Sequence, residues 1–124
     1  MKRALHNCIA RLSGRAQVGT RRNMEKGMDA FYAADEALKE AVPGIVERHR
    51  SAGVLTWELL HKIELEVFAE VAATGKYNAR MLGMLRAPAA LDYPKDDRPV
   101  SFEGHDVIPS VFRTIDAVWR RSNR

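Results

Sequence analysis

Apolar positions along this chain fall into a few helical stripes punctuated by glycine and proline. Met28, Phe31, Leu38, Ala41 and Val42 share one side of a 3.6-residue repeat, with Lys26, Asp29, Glu36, Lys39 and Glu40 mostly off it. The spacing predicts a first helix over residues 25–42, ended or kinked at Pro43, which lacks a backbone donor and restricts its predecessor. Ile45, Val46 and His49 then form a short helical piece that Gly53 terminates.

The clearest stripe lies over residues 56–73. Thr56 is a suitable N-cap, and Leu55 before it is placed to pack on Leu60 as a hydrophobic staple. Leu59, Leu60, Ile63, Val67 and Val71 define the apolar face, which Trp57, Leu65, Phe68 and Ala72 widen past half the circumference. Gly75 is the expected stop. A third helix over 78–86 offers Met81, Leu82 and Leu85 and closes before Pro88. Pro88, Pro94, Pro99 and Pro109 make the next stretch loop-like, with Val100, Phe102 and Val107 flanking a Glu103-Gly104 turn as a small β-hairpin. Ile108, Val111, Phe112, Ile115, Val118 and Trp119 predict a last helix over 108–121, which Asp106 would cap. The expected fold is mainly α: four or five helices in one domain, with that hairpin before the C-terminal helix.

Composition agrees with one globular domain. The chain has 124 residues, 46% apolar and 29% charged, and no apolar run approaches the roughly 20 residues of a membrane-spanning helix. One cysteine, Cys8, cannot form an intrachain disulfide or a structural zinc cluster, which leads to the expectation of a cytoplasmic protein. His6, Asn7 and Arg11 interrupt the N-terminus before a secretory apolar region can form.

Charge divides the picture more sharply. Residues 1–26 hold seven basic residues against Glu25 alone, whereas the rest holds 13 basic and 15 acidic. The expectation is a flexible basic arm over 1–23 followed by a single helical domain over 24–124. Three readings suit the arm: contact with an acidic partner such as nucleic acid, a targeting-like segment, or sequence ahead of a start at Met24 or Met28.

Candidate chemistry is sparse. Glu58, His61 and Glu64 have the Glu-x-x-His spacing of di-iron bundles, but those sites need a second motif and further glutamates. His61 and Glu64 instead edge the apolar face, where hydrogen bonds would satisfy them. Asp92, Asp96 and Glu103 fit positions 1, 5 and 12 of a calcium loop, yet Asp97 stands where glycine is needed. His105 and Asp106, with Ser101 and Ser110 nearby, lack a nucleophile motif, and His105 reads as a turn residue. The segment 68–85 resembles a helix-turn-helix in outline but carries Val71 and Glu70 where a small and an apolar residue belong.

These observations favour a non-enzymatic interaction or regulatory protein, without cofactor or metal, that binds a protein partner or itself through Trp57, Leu65, Phe68 and Met84. The alternative is a small nucleic-acid-binding protein using Arg11, Arg15, Arg21, Arg22, Lys76 and Arg80.

Overall fold

Pro43 does not end the helix in which the sequence places it. The first helix, α1, runs from Ser13 to Arg48 with Pro43 inside it. A proline in a helix interior costs about 3 kcal/mol. Ile45 and Val46, just beyond it, are both 0% exposed, and burying each contributes about 1.5–3 kcal/mol. Stopping at Pro43 would withdraw both from the core, so tertiary burial outweighs the local penalty. A 3₁₀ turn, Arg50–Ala52, follows, and Gly53 closes it at a positive φ of 84°.

The computed structural model describes residues 13–88 and 92–122, with side chains from Gly27 to Arg121 within those ranges. The remaining helices are α2 (Trp57–Ala73), α3 (Ala79–Leu85) and α4 (Ser110–Ser122). Among the described residues there is no strand, and no helix is long and apolar enough to cross a membrane. The chain separates into two units, Met1–Ala33 and Ala34–Arg124. The hydrophobic core belongs to the second, where Leu38, Val42 and Ile45 of α1 join Leu60, Ile63 and Val67 of α2 and Phe112 and Ile115 of α4. Met28, expected on the core stripe, is instead 53% exposed, six residues before Ala34, the first buried position among the described side chains.

α2 starts and stops as its sequence predicts. The Thr56 hydroxyl oxygen accepts the Leu59 N–H at 3.2 Å, and Leu55 and Leu60 are both buried. Gly75 follows the last turn at a φ of 71°, a left-handed conformation that an L-residue adopts only with strain. α3 is likewise capped, by the Asn78 side chain, which accepts the N–H groups of Arg80 and Met81.

The expected hairpin does not form. Glu103 and Gly104 do make a turn, with the His105 N–H donating to Phe102 O at 3.0 Å and Gly104 at a φ of 85°. Its flanks find a different partner: Thr56 and Pro99 form an isolated antiparallel bridge, Val100 N–H donates to Leu55 O, and Trp57 N–H donates to Arg98 O. Glu58 N–H donates to Asp96 O, so this proline-rich segment supplies acceptors to the first turn of α2. A neighbouring helix end outcompetes the hairpin because its unpaired N–H groups need acceptors when buried. Asp106 is not the cap of α4 either, since the helix begins four residues later at Ser110, after Pro109.

Arg50 secures the other end of α4. Its guanidinium donates to Trp119 O at 3.0 Å and Val118 O at 3.2 Å and lies 4.8 Å from the centroid of the Trp119 ring. A cation there meets the last-turn carbonyls and the negative end of the helix dipole together.

Candidate interaction surface

Helix α2 packs against α3 and α4 and carries most of the residues singled out from the sequence. Their positions divide. Trp57 is 2% exposed and Phe68 7%, so both belong to the core, which corrects their expected place on a partner-facing surface. Leu65 is 52% exposed and Met84, on α3, 70%.

Trp57 is covered by the loop that sequence periodicity left without a role. Its ring stacks on Tyr93 at 6.0 Å between centroids and meets Phe102 edge-on at 5.8 Å. His105 tilts against both Trp57 and Tyr93, at 5.7 and 5.5 Å. Phe112 of α4 closes the cluster from below, meeting Trp57, His61 and Tyr93 edge-on. Offset and T-shaped aromatic pairs of this kind add about 0.5–1.5 kcal/mol beyond their buried area. Tyr93 is thus a core residue without a signal in the sequence, because a single apolar position among prolines carries no periodicity, and Val100, expected in the hairpin, is buried beside it in the same core.

Two polar members of the cluster have hydrogen-bond partners of their own. His61 Nε2 is 2.9 Å from Pro94 O, with the ring nitrogen donating. The Tyr93 hydroxyl donates to Val107 O. Burial, and then the charge of Glu64, raises the Tyr93 pKa above the ordinary tyrosine value. A raised folded-state pKa contributes stability that is fully present below the unfolded tyrosine value of about 10 and is lost as pH rises through the folded value. Tyr93→Phe is therefore expected to cost about 0.5–1.5 kcal/mol at neutral pH and to flatten the loss of stability above pH ~10. Urea denaturation from neutral to alkaline pH checks this; parallel alkaline slopes for the two proteins would contradict it.

Glu64 is 1% exposed, yet its Oε2 accepts the Ala87 N–H at 2.8 Å and its Oε1 lies 3.7 Å from the Arg86 guanidinium. Glu58 is exposed, His61 is engaged by Pro94 O and Glu64 by Ala87 N–H, so the three do not converge on one point. Among the described residues, no group of three or more histidine, cysteine or acidic side chains is arranged to hold a metal ion. A histidine–carboxylate pair absent from the sequence reading does occur: His49 Nε2 is 3.0 and 3.1 Å from the two Glu66 oxygens. With Arg48–Glu70 at 3.2 Å it links the end of α1 and the residue after it to α2 across about twenty residues, a separation no local spacing rule reaches. Arg98 hydrogen-bonds Asp96 and holds that carboxyl below the usual carboxylate range.

Of the nucleic-acid candidates, Lys76 is exposed in the α2–α3 turn and Arg80 in the first turn of α3. Val71 is buried, Glu70 is exposed and paired with Arg48, and only Leu82 of α3 is buried. Arg15, Arg21 and Arg22 lie on α1 with side chains outside the described residues, and Arg11 lies outside them altogether.

What remains exposed on α2 is unusually apolar. Leu65, Ala69, Ala72 and Ala73 outnumber the exposed charged positions Glu58, Lys62 and Glu70. Leu65, Ala69 and Ala72 fall at i, i+4 and i+7, one line along the helix. An open groove of about 510 Å³ lies elsewhere, against Ala52, Val54, Thr56, Glu58, Leu59 and Lys62.

One family model matches residues 22–124, under the description "Protein of unknown function (DUF2471)". No curated protein and no solved structure matches the chain.

Proposed function

The chain belongs to the DUF2471 family, whose description brings no activity with it, and from its own surface we propose that it acts by binding another protein rather than by catalysis. The observation that carries the reading is the line Leu65–Ala69–Ala72, exposed on a helix that buries Leu60, Ile63 and Val67 on its other side. A solvated helix face normally carries charge, and small residues beside one large apolar side chain let a partner approach closely. Met84, 70% exposed on the adjoining helix α3, adds a flexible thioether of the kind found at adaptable binding surfaces.

Charging this surface separates binding from folding. Leu65→Glu with Met84→Glu should change stability by no more than about 1 kcal/mol, since both sites are exposed. It should remove a partner that the unaltered chain captures from its native cell. Capture of the same proteins in the same amounts by both chains would overturn the reading.

A further inference from the structure

One line along α2 is complementary to itself. Glu58, Lys62, Leu65, Ala69 and Ala72 recur in steps of four and three, and all five are exposed. Lys76, also exposed, follows the last turn by three residues. The line therefore runs from charge, through one bulky aliphatic side chain, to small residues and a basic end. Between Val71 and Leu91 there is no acidic residue, so that end carries one sign only. The neighbouring edge of the helix is already engaged within the chain, where His49 meets Glu66 and Arg48 meets Glu70.

Size and charge identify the occupant. Leu65 and Ala69 lie two residues either side of Val67, and Glu58 and Lys76 nine either side. A second copy laid antiparallel about a two-fold axis level with Val67 sets Leu65 against Ala69 and Glu58 against Lys76, each twice. The bulky side chain then meets the space an alanine leaves, which permits close packing. Lys62 faces Ala72 in the last turn of the partner copy's helix, which has no basic residue of its own to meet the negative end of its dipole. The two helix dipoles oppose each other as well. A parallel copy would instead set Glu58 against Glu58 and Leu65 against Leu65, and a polyanion drawn to Lys76 would be repelled by Glu58.

We propose that this face of α2 pairs antiparallel with the same face of a second copy of the chain, Leu65 packing on Ala69 and Glu58 meeting Lys76. The proposal rests on the protein-binding reading and names its partner. Because the end pairs are exposed, association weakens as salt screens them.

Charge reversal in the full chain tests the pairing. By light scattering, the wild type is expected to be a dimer at about 0.1 mM, a concentration that saturates micromolar association. Glu58→Lys alone sets lysine against Lys76 twice, and Lys76→Glu alone sets glutamate against Glu58 twice. Each should dissociate about tenfold more readily at low salt. Mixed in equal amounts, the two should dimerise as tightly as wild type, since every unlike pair is restored; misfolded variants could not do this. Ala69→Leu should also weaken the dimer at least about tenfold, because it sets leucine against Leu65, whereas a loose apolar contact would tighten with the added surface. A monomeric wild type, a dimer indifferent to both reversals, a mixture no tighter than its components, or a dimer tightened by Ala69→Leu would overturn the proposal. Capture with Leu65→Glu and Met84→Glu decides the underlying reading separately: a monomeric chain whose captured protein is lost has a different partner on this face, and one that loses nothing has none there.

Discussion

Phe112→Ala should lower the stability of the folded unit by about 3–5 kcal/mol, the largest effect expected from a single truncation here. Phe112 is 0% exposed and its ring meets three others: His61 at 5.4 Å, Tyr93 at 5.4 Å and Trp57 at 6.4 Å. Those rings come from α2 and from the loop before α4, so the side chain fastens two segments to a third. Its removal leaves a void that aromatic neighbours, rigid and wedged against one another, fill poorly. For a domain of about 100 residues, such a loss corresponds to a fall in Tm of at least roughly 12 °C. Thermal melting followed by far-ultraviolet circular dichroism checks it. Near-ultraviolet dichroism should change too, since Trp57 loses an edge contact; a variant melting within a few degrees of wild type would contradict the packing described.

Glu64→Ala should cost about 2–4 kcal/mol, and Glu64→Gln clearly less. The carboxylate sits 1% exposed and accepts the Ala87 N–H at 2.8 Å, tying the chain just beyond α3 to the middle of α2. Alanine removes a charge-assisted hydrogen bond worth about 1.5–3 kcal/mol and leaves a cavity in its place. Glutamine keeps an acceptor oxygen of the same reach and gives up the charge. Arg86, 3.7 Å away with its side chain 45% exposed, contributes little to the difference, because water screens it. Chemical denaturation of the three proteins provides the comparison. Equal losses for alanine and glutamine would mean that charge, not the hydrogen bond to Ala87, holds the carboxylate inside.

How far the sequence could be read depended on whether the determining contacts were local. Every signal at the ends of α2 was local: Thr56 three residues from the N–H it caps, Leu55 beside Leu60, Gly75 after the last turn. Each was legible. Of the two outcomes expected at Pro43, an end is excluded because α1 runs on to Arg48, and what carries it on is the burial of Ile45 and Val46 in the core, which no local window shows. The hairpin failed for the same reason, since Val100 pairs with Leu55, 45 positions away.

The candidate surface shows the limit most clearly. An apolar face wider than half a helix says that something extra covers it, but not which margin is covered. Trp57 and Leu65 stand about 80° apart on α2 at 100° per residue. Tyr93 and Phe102 close over the Trp57 side, and Leu65 is left in solvent. Nothing in the spacing of Tyr93 among prolines announces that choice.

The central claim, that the exposed face of α2 and α3 is where this protein meets another, can be tested by site-specific photo-crosslinking in the native cell. A photoreactive side chain placed at Leu65 or at Met84 should give the same discrete adduct with one protein. Placed at Glu103, exposed in the turn before α4, it should give none. Adducts absent from both Leu65 and Met84, or equally strong at Glu103, would contradict the claim.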